Sequence, residues 1–117
     1  MKLDEMILED LLKWVKNTLT GNWNIKRVQK GILLDLGDAE SDKYIEMEMR
    51  VIGGKVEVNF ILYSGDETYF SEEKTFDSQV ELMGSLKKVD RISNMTIDEI
   101  LVETNYSELR GTCKDIL

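Results

Sequence analysis

Two adjacent glycines, Gly53-Gly54, sit between two stretches of strict polar–apolar alternation, and nothing else in the chain limits its fold so tightly. On one side runs Tyr44-Ile45-Glu46-Met47-Glu48-Met49-Arg50-Val51. On the other runs Val56-Glu57-Val58-Asn59-Phe60-Ile61-Leu62. A period of two is the signature of a half-buried strand. A two-residue loop that follows strand twist needs positive φ at both central residues, which glycine adopts without steric penalty. The glycines therefore predict a hairpin over 44–63 with Ile52 opposite Lys55. Counting outward pairs Val51 with Val56, Met49 with Val58, Met47 with Phe60 and Ile45 with Leu62 on one apolar face. The other face receives Arg50 opposite Glu57, Glu48 opposite Asn59, Glu46 opposite Ile61 and Tyr44 opposite Tyr63. An opposite-charge pair such as Arg50–Glu57 contributes about 0.2–1 kcal/mol. A slip of one residue would move four apolar pairs into water, so the register is strongly specified.

The remaining strands are expected around this hairpin. The stretch 23–36 reads as a second hairpin, with Trp23 and Ile25 alternating, a turn at Gln29-Lys30-Gly31, and Ile32, Leu34 and Leu36 at strand period. A single bulged strand is the alternative, because the apolar phase changes between Ile25 and Val28. Residues 37–43 form a polar loop. After Tyr63, the pair Gly65-Asp66 suits a two-residue turn. The chain then returns as a short edge strand over 68–71, with Tyr63 against Thr68, Leu62 against Tyr69 and Ile61 against Phe70.

Helices flank the strands. A first helix is expected over 5–20, capped by Asp4, stapled by Leu3 and Leu8, and closed by Gly21. Its apolar arc, including Leu11, Leu12, Trp14 and Val15, is wider than one sheet contact needs, which predicts burial between the sheet and another helix. A second helix is expected over 79–91 behind a Ser78–Glu81 capping box. Val80, Leu82, Met83, Leu86 and Val89 line its inner side, and Gly84 allows close approach to the first helix. Thr96 and Glu99 predict a second capping box and a short helix to about residue 103. A strand over 100–106 is the rival reading, since Ile100, Val102, Thr104 and Tyr106 also alternate. Asn105 could cap a final helix bearing Tyr106, Leu109, Cys113 and Ile116. The expected architecture is α+β: an N-terminal helix, an antiparallel meander of four to five strands, and two to three C-terminal helices on one sheet face. At 117 residues a single domain over 1–117 is expected.

Composition excludes several function classes. The chain has no histidine and one cysteine. Serine–histidine and cysteine–histidine nucleophile systems are therefore impossible, and a zinc site lacks its usual ligands. Gly53-Gly54 is not a phosphate loop, because no GK[ST] follows it. A lone cysteine forms no internal disulfide, the acidic residues 1–10 lack the basic start of a secretory signal, and no apolar run reaches membrane-spanning length. Together these make the cytoplasm the expected location. No cofactor or metal is expected, and Cys113 reads as a small core residue.

Charge is the remaining signal. The chain carries 23 acids and 15 bases, a net charge of −8. Nucleic-acid and anionic-membrane surfaces are thus disfavoured partners, and a basic protein surface is favoured. The acids cluster. Residues 35–48 hold six against Lys43 alone, and residues 66–81 hold six against Lys74 alone. The resulting partner-binding candidates are Asp35, Asp38, Glu40, Asp42, Glu46, Glu48, Asp66, Glu67, Glu72 and Glu73. Asp35, Asp38, Glu40 and Asp42 alternate as hard-cation ligands can, but the glycine and distal glutamate of a calcium loop are misplaced. The leading expectation is a non-catalytic module that docks an acidic surface on a basic site of another protein. Small inhibitors, immunity proteins, antitoxins and phage anti-defence proteins share this size and charge. A homodimeric, chaperone-like protein is the alternative, joined through the first helix or the Ile61/Tyr63/Phe70 side of the sheet. A small-molecule or enzymatic role for the Tyr44–Glu46–Glu48–Tyr63 face ranks last.

Overall fold

In a computed structural model, the chain is described over residues 3–40, 42–104 and 116–117, with side chains from residue 7 onward. Helix α1 (Leu3–Thr18) leads into five strands: β1 (Asn24–Val28), β2 (Gly31–Asp38), β3 (Lys43–Ile52), β4 (Lys55–Ser64) and β5 (Glu67–Phe76). Helices α2 (Gln79–Ser93) and α3 (Ile97–Glu103) follow. The strands form one antiparallel meander in the order β1-β2-β3-β4-β5. This is the α+β architecture read from the alternation pattern.

The central hairpin has the expected register at every position, from Ile52 opposite Lys55 to Tyr44 opposite Tyr63. Both loop glycines have positive φ, 58° at Gly53 and 80° at Gly54. Ile45, Met47, Met49 and Val51 interleave with Val56, Val58, Phe60 and Leu62 as the centre of the core, each at most 5% exposed. Ile32 and Leu34 extend this face onto β2, and Phe70 and Phe76 extend it onto β5. One face of the sheet is thus apolar throughout. The helices cover it with Leu8, Leu11, Val15, Leu82, Leu86, Val89 and Ile100. Helix α1 lies against both α2 and β3, as its wide apolar arc requires.

The stretch 23–36 is two strands, not one bulged strand: Val28 pairs with Gly31 and Asn24 with Asp35. The positive φ of the turn falls on Lys30 (61°) rather than on the glycine. Gly31 answers a different need. A Cβ there would lie 2.4 Å from the carbonyl oxygen of Met49, so only glycine lets β2 approach β3 at that point. Strand pairing also continues further into the 37–43 loop than its composition suggests, with Gly37 against Tyr44 and Asp38 against Lys43.

Several expectations are corrected. Helix α1 begins at Leu3, so Asp4 lies inside it and is not its cap. β5 is ten residues long, not a short piece over 68–71, because Phe76 has a core site opposite Val56. Tyr63 does pair with Thr68, but a bulge then sets Leu62 opposite Phe70 and Ile61 opposite Ser71. An extra residue on β5 turns Phe70 onto the buried face, where it is 3% exposed. In α2, Ser78 accepts a hydrogen bond from the Glu81 amide as its N-cap, yet Val80 is 81% exposed. The inner stripe is Leu82, Leu86, Val89 and Ile92, at spacings of three and four. Gly84 faces open space, with no atom within 4 Å of its Cβ position, so it does not serve close packing on α1. The second capping box forms in both directions between Thr96 and Glu99, and residues 97–103 are helix rather than strand. The final helix proposed from Asn105, with Tyr106, Leu109 and Cys113, lies outside the described residues.

Two polar clasps fix the helices to the sheet and to each other. The Asp90 carboxylate accepts from the Thr20 amide (2.6 Å) and hydroxyl (3.0 Å), joining the end of α1 to α2. Lys43, at the start of β3, is 5% exposed and donates to the carbonyls of Ser93 (2.7 Å) and Met95 (2.6 Å). An ammonium at a helix C-terminus satisfies carbonyls left without intrahelical partners and suits the helix dipole.

Candidate functional site

With the helices on one side, no described element covers the other, open face of the sheet. Strand alternation decides what it displays: Lys26 on β1; Leu33 and Asp35 on β2; Tyr44, Glu46, Glu48 and Arg50 on β3; Glu57, Asn59, Ile61 and Tyr63 on β4. In its middle is a concavity of about 400 Å³, floored by Leu33 and Ile61 and bordered by Asn24, Lys26, Asp35, Glu46, Glu48 and Asn59. Leu33 is 39% exposed despite its apolar character.

The electrostatics of this face follow from register. Asp35 stands directly across from Glu46, and Glu48 is two residues further along β3 on the same face. Directly opposed side chains on antiparallel strands have Cβ atoms about 4.5–5.5 Å apart, and like charges so placed repel. Arg50 is across from Glu57 as expected, and its guanidinium also comes within 3.6 Å of Glu48. Toward one end, the rings of Tyr44 and Tyr63 stack with centroids 5.3 Å apart and planes 17° apart. The Tyr63 hydroxyl donates to Glu46 at 3.4 Å. Partial burial, and then the negative charge of Glu46, hold the Tyr63 phenol above its ordinary pKa.

The ten acids singled out in the sequence separate into three groups. Asp35, Glu46 and Glu48 meet on the open face around the concavity. Glu73 joins that face from β5, opposite Asn59. Asp38, Glu40, Asp42, Asp66 and Glu67 belong to one end of the sheet, because the β2–β3 and β4–β5 connections are neighbours there. The Ser64 hydroxyl donates to Asp42 at 3.0 Å across this end, and the Glu40 amide donates to Asp38 at 3.1 Å. The two acidic stretches, separate in sequence, therefore adjoin in space.

Glu72 is the exception and is withdrawn from the set. It points to the helix side, where one carboxylate oxygen accepts from the amides of Ile116 (2.9 Å) and Leu117 (3.1 Å). Its parity on β5, opposite Phe60, dictates this orientation. Phe70 is likewise withdrawn from the self-complementary patch with Ile61 and Tyr63, since it is in the core.

The two lysines within the acidic stretches also point to the helix side. Lys43 is buried against α2, and Lys74 reaches toward the Leu117 carbonyl at 3.4 Å and over the Phe76 ring. Desolvation lowers the Lys43 pKa, while Asp38 and Glu99 pull it back up.

Leu33, Asn59 and Lys26 were not among the sequence candidates. A signal was present for the floor: Leu33 and Ile61 are apolar residues in the polar phase of their strands. Among the described residues no group of carboxylates, cysteines or histidines is arranged to hold a metal ion. No described helix is long and apolar enough to cross a membrane. No protein-family model, no curated protein and no solved structure matches the chain.

Proposed function

We propose that this protein is a non-catalytic binding module that applies its open sheet face and the adjoining acidic end to a basic site on another protein. An inhibitor, immunity, antitoxin or phage anti-defence role is the class of activity such a module serves. The observation that carries the reading is the sorting of charge by strand parity. Each acidic stretch contains a single lysine, and both lysines are on the helix side. Nine of the ten candidate carboxylates are on the open face and its end, Glu72 being the exception, with Lys26 and Arg50 as cations beside those on the face. Such a field raises association rates with basic partners and disfavours acidic ones. The open face is also broad and half apolar at its centre, which suits contact with a protein surface better than with a solvated ion.

Affinity capture from the host, followed by association kinetics on the captured partner, tests this reading. Between about 50 and 300 mM salt the association rate should fall about tenfold or more, because exposed charges are screened beyond a Debye length. Substituting Asp66→Asn and Glu67→Gln should lower the rate and flatten its salt dependence. An association rate indifferent to ionic strength would refute the proposal.

A further inference from the structure

The concavity on the open face has a shape and charge that narrow the partner further. We propose that it receives an arginine side chain from the partner, the apolar stem lying on Leu33 and Ile61 and the guanidinium between Asp35, Glu46 and Glu48. This rests on the docking role proposed above and specifies the anchor through which it works.

Three independent features favour this occupant. First, the like-charge pair Asp35–Glu46 is built into the middle of a sheet, directly across a strand pair, with Glu48 beside it. Opposed carboxylates weaken a sheet, and a cation seated between them reverses that effect. Second, the floor is apolar where strand alternation calls for polar residues, and Leu33 is 39% exposed. A point charge alone gains nothing from such a floor, whereas a long side chain buries its methylenes there. Third, the volume of about 400 Å³ accommodates one long side chain but not a helix, whose diameter with side chains is about 10–12 Å.

Arginine fits better than lysine on the same grounds. Carboxylates from two strands surround the site, and the stacked Tyr44–Tyr63 pair flanks it at Glu46. A planar guanidinium presents five donors in a fork that can serve more than one carboxylate at once and lies flat on aromatic rings. A lysine ammonium is compact and strongly hydrated. Two cations of the chain stand near the acids: Lys26 borders the concavity from the edge strand, and Arg50 lies within 3.6 Å of Glu48, while among the described residues none comes within ion-pair distance of Asp35 or Glu46.

The test uses the full chain and two acetylated, amidated peptides of alternating glycine and arginine, or glycine and lysine, of equal length. Amide chemical shifts and dissociation constants are measured at low and moderate salt. The arginine peptide should bind about tenfold more tightly than the lysine peptide, with the largest shifts at Leu33, Glu46, Asn59 and Ile61. Glu46→Gln should weaken the arginine peptide about tenfold, while Glu9→Gln, an exposed position of α1 on the helix side of the sheet, should change it less than about twofold. Equal affinity for the two peptides, with shifts centred on Asp66 and Glu67, overturns the arginine slot and leaves acidic docking standing. No saturable binding of either peptide also overturns the slot. The salt dependence of the captured partner's association decides the broader reading separately.

Discussion

Replacing Lys43 by methionine should destabilise the protein by about 2–4 kcal/mol, because the carbonyls of Ser93, the last residue of α2, and of Met95 just past it lose their donor. The ammonium lies 2.7 Å from the Ser93 oxygen and 2.6 Å from the Met95 oxygen, and the residue is 5% exposed. A hydrogen bond to a charged group contributes about 1.5–3 kcal/mol, so two contribute about 3–6. Desolvation of the ammonium opposes this and is relieved by the substitution, while the methionine retains most of the stem's packing. Urea denaturation measures the difference. With a slope of about 1–3 kcal/mol/M for a small domain, the midpoint should fall by about 1–2 M. The melting temperature should fall by about 8–16 °C, taking about 4 °C per kcal/mol at this size.

A second readout separates the charge from the packing. Burial lowers the Lys43 pKa in the folded state below its ordinary 10.5, with Asp38 and Glu99 acting against it. Between the folded and unfolded values the unfolded chain holds more protons, so stability rises with pH across that window. The neutral amine still donates both hydrogen bonds. The stability gap between wild type and Lys43→Met should therefore widen as pH climbs toward 10.5. A loss under about 0.5 kcal/mol, or a gap that narrows with pH, would refute the assignment of Lys43 as the donor that holds the Ser93 and Met95 carbonyls.

Two further substitutions probe the glycines. Gly31→Ala places a methyl 2.4 Å from the Met49 carbonyl and should cost about 2 kcal/mol or more in urea denaturation; an unchanged midpoint would show that β2 and β3 can separate there freely. Gly84→Ala, on the exposed side of α2 with no atom within 4 Å of the added carbon, should instead stabilise by about 1 kcal/mol, and a loss of stability would point to a contact on that face.

The sheet was legible wherever local chemistry determines it. Gly53-Gly54 and the flanking alternation specify nine residue pairs correctly, because a period-two pattern with one buried face admits one register. Capping chemistry was readable at Thr96, where the box closes in both directions, and in half at Ser78, which accepts from the Glu81 amide without a return bond from the Glu81 side chain, since it involves residues three apart. What was not legible depends on contacts across the molecule. Pairing after Tyr63 shifts by a residue because Phe70 and Phe76 both find core sites, and no turn rule contains that information. Val80 resembles a core residue in sequence, but the rotation of α2 about its axis is set by the sheet beneath it. Lys43 resembles a loop cation and is in fact buried, a consequence of where α2 ends. At the candidate site the acids were visible as composition, whereas their division into open-face, end and helix-side groups required strand parity on all five strands.

Every strand is bonded to its neighbours in the chain, through connections only a few residues long. Loop-closure entropy for such steps is small, so the layer carrying the carboxylates can zip up hairpin by hairpin. The demanding closure is elsewhere: Thr20 must find Asp90, 70 positions further along the chain, on the far side of the layer. The open face thus belongs to the part of the molecule that is easiest to assemble, and the contact between α1 and α2 is the step that closes last.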